Sequence, residues 1–168
     1  SGTLEGTSTW RTLTKDEWVY LLEHNNLSYA TVHDVNGLLV APDGKDIDGK
    51  SMEDWVVIND ETWTTMQNDG YLFLPACGQR SQLNETANIT TGGQGEEVVY
   101  YSSTEKEDDV NRAYNIWYKK GQASAAADYS FKRQAFGVRL VSAGVNPLDQ
   151  VQEIEIGRAV QQECRDRS

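Results

Sequence analysis

Val98-Val99-Tyr100-Tyr101-Ser102-Ser103 and, after an acidic turn, Ala113-Tyr114-Asn115-Ile116-Trp117-Tyr118 decide the class of this chain. Both runs carry the β-branched and aromatic residues that suit a pleated, half-buried surface. Along the second run, alternation puts Tyr114, Ile116 and Tyr118 on one face and Asn115 and Trp117 on the other. The apolar set reads as the core face. Trp117 is then exposed beside Asn115, which makes it a candidate contact residue; the alternative is that the tail or a loop covers it.

Upstream, Thr14 and Glu17 form a capping-box pattern that opens a helix, with Trp18, Leu21 and Leu22 at helical spacing. Thr31–Val35 and Leu38–Pro42 flank Asn36-Gly37, a strong hairpin signal. Residues 43–54 read as a loop and Trp55–Ile58 as a short strand. Asn59 or Asp60 caps a second helix from about Glu61 to Asn68, with Trp63 and Met66 facing inward. Gly70 ends that helix in the left-handed position. Tyr71–Ala76 reads as a buried strand and 78–95 as a long polar loop. Downstream, Lys119–Gln134 reads as a loop or irregular strand, and Phe136–Val141 as the last strand. The tail, Leu148–Arg167, has helical spacing weakened by Gly157. Trp10, Trp18, Trp55 and Trp63 read as core anchors. Two early helices followed by clustered strands argue an α+β class, with the helices packed on an antiparallel sheet.

The 168 residues fit one domain with a core of its own. Residues 1–9 read as a lead-in, 10–142 as the domain and 143–168 as a tail. The net charge of −11 repels phosphate backbones, so nucleic acid is an unfavourable partner. No run approaches the roughly 18–20 apolar residues of a membrane span. No signal peptide is present, and the chain reads as a mature or excised domain whose targeting segment lies elsewhere. Cys77 and Cys164 are compatible with one long-range disulfide or with two thiols, and their surroundings do not suggest zinc. Cys77, at the end of Leu72-Phe73-Leu74-Pro75-Ala76, reads as packed core.

Catalysis is not expected. There is no Gly-x-Ser-x-Gly elbow. Gly92-Gly93-Gln94-Gly95 lacks the Lys-Ser/Thr of a phosphate loop and precedes a strand rather than a helix. His24 sits where a helix C-terminus would favour it. No cofactor is expected. Calcium is the one exception weighed, because Asp43, Asp46 and Asp48 alternate in a glycine-containing loop, though without the full EF-hand spacing.

Six motifs fall in one order: Trp10-Arg11-Thr12-Leu13-Thr14 with Glu17-Trp18, Gly37–Pro42, Phe73–Gly78, Tyr100–Thr104, Ala113–Tyr118 and Gly137-Val138-Arg139-Leu140-Val141. In that order they resemble the Fibrobacter succinogenes major paralogous domain of bacterial surface proteins. The resemblance covers about residues 10–142. It implies a C-type-lectin-like fold, akin to that of the formylglycine-generating enzyme. The copper-binding cysteine pair of that enzyme has no counterpart in 98–141.

The resemblance also implies that the stretch before the last strand carries the binding surface, and that some such proteins are diversified by retroelements that mutate template adenines. Residues reachable from Asn codons by that chemistry include Asp108, Asp109, Val110, Asn111, Arg112, Asn115, Ala123, Ser124, Ala125, Ala126, Ala127, Asp128, Tyr129, Ser130, Phe131 and Arg133. With Trp117 they form the candidate ligand-binding surface. The implied function is that of an adhesin or receptor-type domain at the cell surface, binding a protein or glycan on another cell or phage. The alternatives are a structural module of a surface lipoprotein or pilus subunit, and, more remotely, a relative of the oxidase.

Overall fold

A computed structural model describes residues 10–81, 90–122 and 125–142. The chain divides into two units, one of residues 12–139 and one of residues 1–11 and 140–168. β1 (Trp10–Thr12) and β11 (Leu140–Ser142) pair as a two-stranded sheet. Trp10 is exposed there and is not the core anchor expected. The lead-in 1–9, the tail 143–168 with Cys164, and the sequence 82–89 lie outside the described residues.

The larger unit begins with α1 (Lys15–His24). Thr14 caps it: its hydroxyl accepts the Glu17 N–H, and the Glu17 carboxylate accepts the Thr14 N–H at 2.8 Å. This reciprocal pair satisfies two backbone donors that the first helical turn leaves open. A four-stranded sheet follows, in the order β4-β2-β3-β5, from β2 (Leu27–Val32), β3 (Val35–Val40), β4 (Val56–Ile58) and β5 (Leu72–Pro75). Between β4 and β5 lies α2 (Asp60–Asn68), capped by Asn59. β6 (Gln79–Ser81) pairs with β7 (Thr90–Gly92). A three-stranded antiparallel sheet, β10-β9-β8, completes the unit from β8 (Glu97–Lys106), β9 (Asp109–Lys119) and β10 (Ala125–Phe131).

This architecture overturns the α+β reading of a C-type-lectin-like fold with two early helices on one antiparallel sheet. Strand makes up 48% of the structure, spread over several small sheets. The β2–β4 pair is parallel. The two helices serve different clusters. Trp18 and Leu22 of α1 pack with Tyr29, Leu38, Val40, Leu74, Val98, Tyr100, Ile116 and Tyr118. Trp63 of α2 packs with Ala30, Val32, Leu39 and Ile58. Leu38 and Leu39 are both wholly buried, so the four-stranded sheet is covered on both faces. Such strands read as continuous apolar runs rather than alternating ones. Extra strands arose where apolar periodicity is weak: the polar β6–β7 pair stood in a segment read as a loop, and the small-residue β10 in one read as a loop or irregular strand.

The first hairpin turns at His33-Asp34, not at Asn36-Gly37. Both turn residues have positive φ, at 48° and 62°, and Val32 pairs with Val35. These are the dihedral signs of a two-residue hairpin turn whose twist matches its strands. Gly37 instead lies inside β3, where a Cβ would stand 2.5 Å from the Leu74 carbonyl and 2.6 Å from the Phe73 ring. Its missing side chain lets β5 and Phe73 close over the sheet. Phe136–Val141 is a strand only at its end, since Ala135 and Gly137 make isolated bridges to Arg80 and Tyr100.

Candidate functional site

The β8–β9–β10 sheet turns one face to the core and the other to a small cavity. Glu97 pairs with Lys119, Val99 with Trp117 and Tyr101 with Asn115. Alternation therefore puts Glu97, Val99, Asn115 and Trp117 on the face opposite Val98, Tyr100, Ile116 and Tyr118. From β10, Asp128 stands opposite Asn115 and Ser130 opposite Ala113. Together with Gln79, Gln134 and Phe136, these groups line a cavity of about 220 Å³.

A β-bulge decides one member of this set. From Trp117 to Asn115 β9 advances two residues, while β10 advances three from Ala125 to Asp128. The additional residue re-aims the side chains that follow. In unbroken register Ala127 would face the cavity; with the bulge Asp128 does.

The rim opposite the sheet is tied down by Tyr101. Its hydroxyl donates to the carbonyls of Phe131 at 2.5 Å and Gln134 at 2.9 Å. Its ring stacks on Phe136 with centroids 4.7 Å apart. Burial pushes the phenol up to about 12, so it remains a protonated donor at neutral pH. Two further pairs of backbone bonds hold the segment: Arg80 with Ala135 in both directions, and Gly137 with Val99 and Tyr101.

Within the cavity the hydrogen-bond account is incomplete. Glu97 is 8% exposed and Asn115 3%. The Lys119 ammonium reaches Glu97 Oε1 at 3.1 Å. Gly93, with φ of 71°, backs the carboxylate so closely that a Cβ would lie 2.5 Å from it. Glu97 Oε2 and Asn115 Oδ1 are buried without a hydrogen-bond partner from the protein. An unsatisfied buried acceptor costs about 1–3 kcal/mol, so two lining one cavity call for an explanation. Asp128 adds a third acceptor group; its Oδ1 takes the Tyr129 N–H at 2.7 Å.

The residues expected to form one binding surface divide. Asn115, Trp117, Asp128 and Ser130 line the cavity. Trp117 is half-buried rather than openly exposed. Arg112 pairs with Phe131, and Tyr129 with Tyr114, on the opposite face, where the Arg112 guanidinium lies 4.2 Å from the Phe131 ring. Arg133 approaches that ring from 4.7 Å. Asp108, Asp109, Val110 and Asn111 form the tip of the β8–β9 hairpin, where Lys106 pairs with Asp108 and Arg112 with Asp109. Ala125 opens β10, Ala126 packs against the core and Ala127 is exposed. Ala123 and Ser124 lie outside the described residues.

Sequence reasoning missed Glu97, Val99, Gln79, Gln134 and Phe136. For Glu97 a signal existed: it stands two residues before Val99 and four before Tyr101, hence on their face. Gln79 and Gln134 arrive from distant segments, which no local pattern announces.

Other candidate features are accounted for locally. Asp43 accepts the Tyr20 hydroxyl at 3.2 Å, and Asp46 accepts Lys50 Nζ at 2.9 Å. Among the described residues no group of three or more His, Cys, Asp or Glu side chains could hold a metal ion. Cys77 is exposed, contrary to the packed-core reading, while its neighbour Ala76 is buried in the core. A wider depression of about 640 Å³ flanks the start of α2, but its His33 and Asp60 side chains pair with each other at 3.0 Å. No described helix is long and apolar enough to cross a membrane.

No protein-family model, no curated protein and no solved structure matches this chain.

Proposed function

We propose that this chain is a ligand-binding domain of the adhesin or receptor type, acting at the cell surface, and that the β8–β9–β10 cavity takes a polar group of its ligand. The observation that carries the reading is that Glu97 and Asn115, each with a buried acceptor oxygen lacking a partner in the protein, line one cavity. Its walls combine the Trp117 and Phe136 rings with a few convergent polar groups, the usual make-up of a recognition site. At about 220 Å³ it falls below the roughly 300–1,000 Å³ of sites that engulf a drug-sized molecule. A side chain or a single sugar projecting from a protein or glycan partner suits that size.

The test is an NMR titration of the full chain, following the Trp117 indole N–H and the Asn115 side-chain amide. The probes are methyl glucoside and Nα-acetyl-arginine methylamide. A saturable shift of both resonances with either probe supports the reading. Silence with both overturns it and favours a structural module without a ligand.

A further inference from the structure

From the acceptors and charges around this cavity we infer that the group it takes is cationic: the guanidinium or ammonium of a basic side chain in a peptide ligand. The inference rests on the ligand-binding reading above and names its ligand class.

Glu97 Oε2 and Asn115 Oδ1 are buried and unpartnered. The Asp128 carboxylate stands across from Asn115. The two charged residues of the lining are both acidic, and one cation, Lys119, bonds to Glu97 from beside it. The lining thus carries two negative charges against one nearby positive charge. A ligand that brings donors and a positive charge suits these acceptors and this charge balance, whereas an anion would meet like charge. The lining also includes the aromatic side chains of Trp117 and Phe136, and a planar guanidinium can stack on a ring while its fork of N–H groups reaches several acceptors.

The experiment compares Nα-acetyl-arginine methylamide with its neutral isostere Nα-acetyl-citrulline methylamide, and with methyl glucoside, on the full chain by NMR. The arginine probe is expected to shift Trp117 and Asn115 saturably, and the citrulline probe to bind at least tenfold more weakly, the loss expected when a charge-assisted bond becomes a neutral one. Asp128→Asn, at an exposed position, is expected to weaken the arginine probe several-fold and the citrulline probe less, with circular dichroism confirming the fold. Glu97→Gln is expected to do so more strongly, with circular dichroism confirming the fold. Equal binding of arginine and citrulline overturns the inference. So does binding of the glucoside alone, which leaves the cavity as a ligand site for a neutral partner. Silence with all three probes removes the ligand-binding reading itself.

Discussion

Asn115 and Asp128 face each other across β9 and β10 only because β10 carries one more residue than β9 between them and the Ala125–Trp117 pair. The bulge places a carboxylate opposite a buried amide whose Oδ1 has no partner in the protein. A side chain retained in that state lowers stability unless a ligand completes it. Replacing Asn115 with leucine removes the unsatisfied acceptor and keeps the branching and number of side-chain heavy atoms. We expect Asn115→Leu to raise the unfolding free energy by about 1 kcal/mol in urea titration. The same variant should lose the Trp117 response to the arginine probe. A variant destabilised by more than about 1 kcal/mol would show that the amide supports the fold instead.

Tyr101 links the sheet to the 131–136 segment through two hydrogen bonds and a stacked ring. Tyr101→Phe keeps the ring and removes both bonds. It should cost about 1–2 kcal/mol in urea unfolding. It should also weaken probe binding, because Gln134 and Phe136 would no longer be held in place.

Alkaline pH should unfold the domain through its buried phenols. Burial pushes Tyr101 and Tyr118 up to about 12, and Tyr100 moves in the same direction. Their folded pKa values lie above the unfolded value near 10, so the neutral form is favoured in the folded state. The stability they contribute is fully present below pH 10 and is lost as pH rises from 10 through 12. Urea midpoints measured from pH 8 to 11 should stay level and then fall. The fall should be shallower in Tyr101→Phe.

Gly37 lies at a close approach within the four-stranded sheet. A methyl group there would meet the Leu74 carbonyl oxygen at 2.5 Å, which is backbone and cannot swing aside. Gly37→Ala should destabilise by about 1–3 kcal/mol, the usual range for overpacking. Differential scanning calorimetry reads this as a lower Tm. An unchanged Tm would mean that β5 shifts freely.

Some of this was legible in order along the chain. Thr14 and Glu17 alone specify the start of α1, because a capping box closes within four residues. Alternation alone assigns Ile116 and Tyr118 to the core and Asn115 and Trp117 to the other face. The remainder depended on partners far along the chain. Asn36-Gly37 has the chemistry of a hairpin turn, yet Phe73 and Leu74 need that glycine for close packing, and the turn falls to His33-Asp34. The strands of β6, β7 and β10 pair through backbone groups, which leave no pattern in small or polar side chains. The cavity joins Glu97, Asn115 and Asp128 with Gln134 and Phe136 through a bulge and the Tyr101 bonds. Sequence determined which residues could be buried or exposed; only tertiary packing decided which of them meet, because register and chain return are set by contacts between segments that are distant in sequence.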